Sequence, residues 1–233
     1  MLALWPAVAI IMPSWRHRVN PAFEQLKVDR IHVAPRALEL SPLAARQRFP
    51  HIWAPLEELL ARLQALPAGL VRFWLQQPHG HVVITHLPSC YEAGEQPQKH
   101  RMLCSVAYIA VSDLAKSSLE ALVPVGHLLD HLLGSGGEET LWLSEGGGVC
   151  PALRKVGARM VKLFPLGHAF DAAARNDAHA YFARSLALYL YDRRALNVAD
   201  PLMEKLLHTT LCSDAFWRSS TWNHEDTKDA KAE

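Results

Sequence analysis

The sequence predicts an α+β fold, with helices packed on one small and mostly antiparallel sheet. Three short runs are rich in aliphatic, mostly β-branched, and aromatic side chains and are bounded by Pro and Gly, as strands are; they lie at 70–75, 82–87 and 103–111. Patterns of helical period follow these runs, without the alternation of strand and helix that a parallel sheet requires. An order in which strands come first and helices follow favours an α+β domain with the two kinds of element segregated.

The composition is that of an ordinary globular protein. A chain of 233 residues can bury a sizeable core as one large domain or two small ones. Half of its residues are hydrophobic, a fifth are charged and the net charge is +1. No basic stripe interleaved with aromatic residues is present, so no nucleic-acid partner is expected. The apolar N-terminus is too short for a membrane span, and it predicts a strand or arm packed on the domain rather than an export signal.

The cysteine pattern carries little chemistry. Four cysteines are scattered without a C-x-x-C pair, so the sequence predicts no zinc ribbon. Free thiols buried as small hydrophobes are favoured over the one or two disulfides of an exported protein. These features leave the compartment undetermined, with the cytoplasm favoured over secretion.

Proline positions divide the chain. Residues 1–50 contain several prolines and few periodic runs, which predicts an N-terminal arm of irregular wrapping with one short strand at 30–33. The α+β domain is predicted to span 51–221, with its first helix near Pro55. Within it, Pro78, His79 and Gly80 are expected to form a hairpin turn, and the polar stretch 92–101 a loop. The charged end at 222–233 is predicted to be disordered.

The predicted domain is organised around one helical stretch at 119–134. Its apolar residues recur at steps of three and four, which makes one stripe facing the core. His127 and His131 are four residues apart and therefore lie on the same side of a helix. Zincin-type zinc enzymes place two ligand histidines in this way, in the motif H-E-x-x-H, with the glutamate acting on the metal-bound water. Further helices are predicted from Pro151, over about 177–191, and from Pro201.

The pattern around His127 resembles the active helix of the anthrax-toxin lethal-factor-like metalloproteases. Gly126 and His127 are followed by Asp130 and by an apolar run that ends in glycine. The segment 180–191, AYFARSLALYLY, is similar to the family's glutamate helix. The resemblance covers about 102–211. It implies a zincin-like fold and a zinc-dependent peptidase centre, in which Asp130 would orient a ligand ring.

Aligned on that Gly-His pair, the chain departs from the family at the chemistry. Val123 stands in the place of the first histidine ligand, Pro124 in that of the catalytic glutamate, and Arg184 in that of the third ligand, a glutamate. Valine offers no lone pair, proline within a helix removes a hydrogen bond and cannot act as a base, and arginine repels a divalent metal. The family's assisting tyrosine has no secure match, with Asp177 near its place. We expect the side chains of Val123, His127 and Arg184 to converge on one cleft.

Two other arrangements would keep a metal. The segment 127–131 also fits H-x-x-D-H, one methylene shorter than the inverted zinc motif H-x-x-E-H. Its two histidines would then be ligands, Asp130 the base, and a distant acid such as Glu204 the third ligand. In a further alternative, His168 or His179 joins the two histidines in a non-standard cluster.

Our leading hypothesis is a zincin-like domain that has lost its metal and its peptidase activity, and that acts by binding a protein or peptide or in a structural or regulatory role. No cofactor is expected in that case, and the former metal site becomes a pocket formed by His127, Asp130, His131, Tyr181 and Arg184. The alternative is an active zinc metalloendopeptidase with a rearranged site, which would hold zinc through His127, His131 and Asp130. A globular domain whose likeness to zincins is coincidental is the third hypothesis.

Overall fold

The computed structural model describes residues 20–98, 101–137, 141–166 and 172–219. The predicted apolar arm before residue 20, the predicted tail at 222–233 and His168 lie outside the described residues. The described residues form eleven α-helices and a four-stranded sheet. Among these residues, no helix combines the length and the hydropathy needed to cross a membrane.

The sheet is mixed. Its strands are β1 Ile31–Val33, β2 His81–Thr85, β3 Cys90–Gln98 and β4 Arg101–Ala110, in the order β1-β2-β4-β3. The pairs β1–β2 and β2–β4 are parallel, and β3–β4 is antiparallel. The α+β class is confirmed, whereas the prediction of a mostly antiparallel sheet is wrong. A parallel pair needs a crossover, and helices between β1 and β2 supply it.

The helices begin and end where their proline and cap residues allow. Pro21, Pro151 and Pro201 each occupy a first helical position, where the missing N–H costs nothing. The helices predicted near Pro55, from Pro151, from about 177 and from Pro201 are confirmed. The full set is α1 Pro21–Asp29, α2 Leu43–Arg48, α3 Ala54–Leu63, α4 Ala68–Gln76, α5 Val111–Ala115, α6 Val123–Ser135, α7 Pro151–Leu163, α8 Ala172–Asn176, α9 Ala178–Ala199, α10 Pro201–Thr209 and α11 Asp214–Ser219.

Four local predictions are wrong. The apolar run 70–75, predicted as a strand, lies in α4, where Leu70, Val71, Phe73 and Trp74 are buried at helical spacing. Because α4 is a helix, residues 78–80 link a helix to β2 and do not form a hairpin turn. The polar stretch predicted as a loop at 92–101 falls mostly in β3, the antiparallel partner of β4. In addition, α1 and α2 lie in the stretch for which irregular wrapping was predicted.

The predicted helix at 119–134 is divided in two. A 3₁₀ turn at Leu119–Ala121 precedes α6, which begins at Val123. Pro124 therefore lies in the first turn of α6, where backbone N–H groups have no intrahelical acceptor. The predicted penalty for a proline inside a helix does not apply here.

Helices α6 and α9 cross in direct backbone contact. Gly126 lies at this crossing, where a Cβ atom would come within 2.5 Å of the Ala183 carbonyl oxygen. Phe182 of α9 and Leu128 and Leu129 of α6 are fully buried in the core on this side. Helix α6 also packs on β3 and β4, so it lies between the sheet and α9. This arrangement fixes the N-terminal half of α6 next to the first residues of β3 and of α9.

Candidate binding cleft

A cleft of about 530 Å³ opens beside the first turn of α6. Val123 and His127, one turn apart on this helix, both line it. Tyr91 from the start of β3 and Trp142 from the segment before the 3₁₀ turn Leu143–Glu145 form further walls. His179, in the first turn of α9, also lines it. The volume lies within the range of ligand-binding pockets in proteins.

Arg184 reaches the rim of this cleft through an ion pair. It lies on α9, and its Nη2 atom is 2.6 Å from Oε1 of Glu120, whose side chain lines the cleft. The Arg184 charge also contributes to the low pKa of His127. Val123 and His127 thus share the cleft, with Arg184 held beside it by Glu120.

The His127 imidazole is neutral at physiological pH. Burial lowers its pKa to about 4, and the nearby Asp177 carboxylate offsets only part of that effect. Its ring lies parallel to the ring of Tyr91, with 6.2 Å between centroids. A neutral imidazole presents one hydrogen-bond donor and one acceptor to the cleft.

His131 lies one turn deeper and is almost fully buried. Its Nδ1 atom is 2.6 Å from the hydroxyl oxygen of Tyr91. The indole of Trp142 stacks on the His131 ring, with 4.7 Å between centroids and 12° between planes. The two histidines predicted to share one side of the helix do contact the same two aromatic rings, Tyr91 and Trp142.

A buried polar cluster supports the inner wall of the cleft. Asp130 is fully buried and accepts hydrogen bonds from the backbone N–H of Ser144 at 2.8 Å and from the Ser144 hydroxyl at 2.6 Å. Its Oδ2 atom is also 3.3 Å from Nδ1 of His179, while Nε2 of His179 lies 3.4 Å from Glu145. The hydrogen bond with Asp130 raises the pKa of His179, which favours the imidazolium between two carboxylates.

This cluster contains the residue types of a serine-hydrolase triad but not its geometry. In a triad, the serine and the aspartate bind opposite ring nitrogens of the histidine. Here Ser144 Oγ and Asp130 Oδ2 both approach Nδ1 of His179, and Ser144 donates directly to Asp130. Ser144 is also buried. The cluster therefore holds the 3₁₀ turn and α9 against α6 and is not arranged for nucleophilic attack.

Of the five residues predicted to form the pocket, only His127 belongs to the described lining. Asp130, His131 and Arg184 contact residues that line it, whereas Tyr181 and the suggested ligand Glu204 are engaged elsewhere. Tyr181, predicted in the pocket, is buried against Phe164 and donates its hydroxyl hydrogen bond to Asp200. Glu204, the suggested third zinc ligand, lies on α10 and pairs with Arg193 at 2.5 Å. Each of these side chains is engaged by its own partner.

A zinc ion at His127 and His131 would need further ligands. A structural or catalytic zinc needs three or four protein ligands. Among the described residues, no group of three His, Cys, Asp or Glu side chains is placed to hold a metal ion. His131 is already hydrogen-bonded to Tyr91, and the Arg184 cation lies nearby.

Several residues of the cleft and of the polar cluster behind it were not singled out from the sequence. Tyr91 directly precedes the stretch 92–101 that was predicted as a loop, and Trp142 and Ser144 lie in the segment LWLSE between two glycine clusters. The only indication of a site in that segment was a tryptophan and a glutamate flanked by turn residues.

The four cysteines are free, and Cys90 is exposed, whereas buried thiols were predicted.

Comparisons of the chain with protein-family models, curated proteins and solved structures found no match. The class of protein is therefore defined by the fold and the cleft alone. It is an α+β domain with a mixed sheet whose aromatic and histidine-rich cleft lies between an edge strand and two crossing helices.

Proposed function

We propose that this protein is a zincin-like domain without a catalytic metal centre, and that it acts by binding an extended peptide or protein segment in the cleft. One observation carries the proposal. The same cleft is lined by Val123, Pro124 and His127. The resemblance aligns these residues, in that order, with the first ligand, the catalytic glutamate and the second ligand. On that alignment the cleft corresponds to a peptidase site in which two of these three side chains cannot perform its chemistry.

The chemistry of the replacements supports binding rather than hydrolysis. Val123 offers no lone pair to a metal, and Pro124 carries no proton-accepting group. Arg184 introduces a permanent positive charge beside the cleft. The resulting lining combines apolar residues such as Val123 and Pro124 with a small number of polar groups, which is the composition of a ligand-binding pocket.

The position of β3 favours an extended ligand. This strand pairs with β4 and lies at the end of the described strand order, so its other edge has no strand partner there. Its first residues, Cys90 and Tyr91, line the cleft. Peptides commonly bind such an edge as an added strand, with main-chain hydrogen bonds supplying affinity and adjacent pockets selecting side chains.

The competing proposal is an active zinc metallopeptidase built on His127 and His131. The low pKa of His127 favours it, because a neutral imidazole is the form that coordinates a metal. It requires at least one further ligand, and the described residues supply none in reach.

Restoring the missing ligands tests the alignment on which the proposal depends. We predict that the triple variant Val123→His, Pro124→Glu, Arg184→Glu binds one zinc ion per chain, because it supplies two new ligands and removes the cation. Zinc is measured by elemental analysis and isothermal titration, and folding by circular dichroism. The matched control adds His127→Ala and should bind no zinc.

A folded triple variant that binds no zinc would contradict the alignment. Equal zinc binding with and without His127 would contradict it as well, because the metal would then be bound elsewhere.

A further inference from the structure

We infer that the cleft recognises a basic side chain, Lys or Arg, on the extended segment it binds. The inference rests on the proposed function and adds the chemical class of the ligand. It follows from the carboxylates that line the cleft, from the apolar residues that line it with them, and from the pairing of His179 with two carboxylates.

Carboxylates reach the cleft from three separate parts of the fold. Asp113 comes from α5, Glu120 from the 3₁₀ turn before α6, and Asp177 from the N-cap of α9. Asp113 accepts a hydrogen bond from the Ser89 hydroxyl at 2.7 Å, and Asp177 accepts one from the backbone N–H of His179 at 2.9 Å. These donors are neutral, so they orient the carboxylates without cancelling their charge.

The positive groups near the cleft are already matched by carboxylates. Arg184 is paired with Glu120. His179 lies between Asp130 at 3.3 Å and Glu145 at 3.4 Å. His127, the remaining histidine of the lining described here, is neutral. The charges of Asp113 and Asp177 therefore give the cleft a negative excess that a cationic ligand would complement.

The apolar part of the lining suits the stem of a long basic side chain. Pro88, Val123 and Pro124 line the cleft with aliphatic surface, and Tyr91 and Trp142 add aromatic surface. Lysine and arginine side chains bury their methylene stems on apolar surface and direct their charged end to polar groups. An acidic side chain in the same place would face like charges, which would exclude it.

Peptide pools with one fixed position test this inference. Heptapeptides carry Lys, norleucine or Glu at the centre and random residues elsewhere, and their retention on the immobilised full chain is measured. Norleucine has nearly the same stem as Lys and no charge. We expect the Lys pool to be retained at least fivefold more than the norleucine pool, and the Glu pool least. The Lys preference should fall as salt is raised.

Two variants locate the charge recognition. Asp113→Asn with Asp177→Asn should reduce the Lys preference to less than twofold, and Asn at position 177 remains a good helix cap. Glu39→Gln, which removes an exposed carboxylate outside the cleft lining, should leave the preference unchanged. A Lys preference that survives the double change would overturn the assignment to these carboxylates.

The remaining outcomes separate this inference from the proposed function. A third variant, Val123→Trp, fills the cleft. Equal retention of the Lys and norleucine pools that is lost in this variant would overturn charge recognition and leave peptide binding intact. If the natural chain retains none of the three pools better than Val123→Trp does, both the proposed function and this inference are overturned.

Discussion

At the scale of single residues, the carboxylate of Asp130 determines the inner wall of the cleft. It is fully buried and accepts two hydrogen bonds from Ser144, and it lies against the His179 ring. A buried carboxylate is tolerated when hydrogen bonds and an opposite charge compensate its desolvation. Asp130 thereby fixes the segment of Trp142 and the first turn of α9 in one arrangement.

We predict that Asp130→Ala lowers the free energy of unfolding by about 2–3 kcal/mol, because it leaves the Ser144 N–H buried without its acceptor and the His179 ring without its partner. Urea denaturation followed by circular dichroism measures the change. Arg36→Ala, which breaks the exposed pair with Glu39, is the control and should change stability by less than about 1 kcal/mol. Equal effects of the two substitutions would contradict the role given to Asp130.

The titration of His127 gives a second prediction. Its pKa is lowered to about 4 in the folded protein, below its ordinary value of 6.5, so the unfolded chain binds a proton that the folded chain does not. Stability from this group is complete above pH 6.5 and is lost as the pH falls toward 4. His81, whose pKa burial also lowers to about 4, adds a loss in the same direction.

His127→Gln should therefore reduce, without abolishing, the loss of stability between pH 7 and pH 4.5, as measured by urea midpoints at several pH values. His179 has the opposite sign: its raised pKa means that its contribution is present below pH 6.5 and is lost as the pH rises through its folded pKa. The ring resonances of both histidines in NMR titrations report the two directions separately. A His127 ring that titrates near its ordinary value would contradict the buried environment described here.

At the scale of elements, the crossing of α6 and α9 positions the cleft. The two helices approach so closely that Gly126 has backbone atoms of Ala183 where a Cβ would lie. This contact brings His127 on α6 near the first turn of α9, which carries His179. A small residue at this point is therefore a requirement of the packing.

We predict that Gly126→Ala lowers the free energy of unfolding by about 1–3 kcal/mol, because the added methyl group must displace the backbone of α9. Gly94→Ala is the matched control, since a Cβ there meets nothing within 4 Å. It should change stability by less than about 0.5 kcal/mol. Both are measured by urea denaturation, and a neutral Gly126→Ala would show that the helices are less closely packed than described.

The sequence identified most helices because proline and apolar spacing mark them, as at Pro151 and Pro201. It misassigned α4 because a short apolar run has the same composition in a buried helix and a buried strand. It missed most of β3 because an edge strand buries little, so its residues remain polar. The parallel pairing of β1 with β2 was not predicted, because α4, which forms part of the crossover between these strands, had been assigned to the sheet.

The candidate site was predicted on α6 and, through His179, at the start of α9. Helical spacing alone places Val123 and His127 on one side, and both line the cleft. Tyr91, Trp142 and Ser144 come from other elements, and contacts between distant segments have no local signature in a single sequence. Tyr181 was predicted at the pocket from its place on α9, yet its hydroxyl is bonded to Asp200.

At the scale of the whole molecule, one mixed sheet and the helices packed on it hold the cleft open between an edge strand and the α6–α9 crossing. Our proposal aligns α6 with the active helix of a zinc peptidase, and the cleft beside α6 is lined by apolar residues, histidines and carboxylates. If the protein acts as a binding domain, the cleft holds no zinc ion.

Elemental analysis of the full chain, purified without chelator and dialysed against zinc-containing buffer, tests this claim most directly. We predict well below 0.1 zinc per chain after removal of loosely bound ions, with no difference between the natural chain and His127→Ala. One zinc per chain in the natural protein, lost in His127→Ala, would contradict the account and establish the metallopeptidase alternative as the better explanation of the cleft.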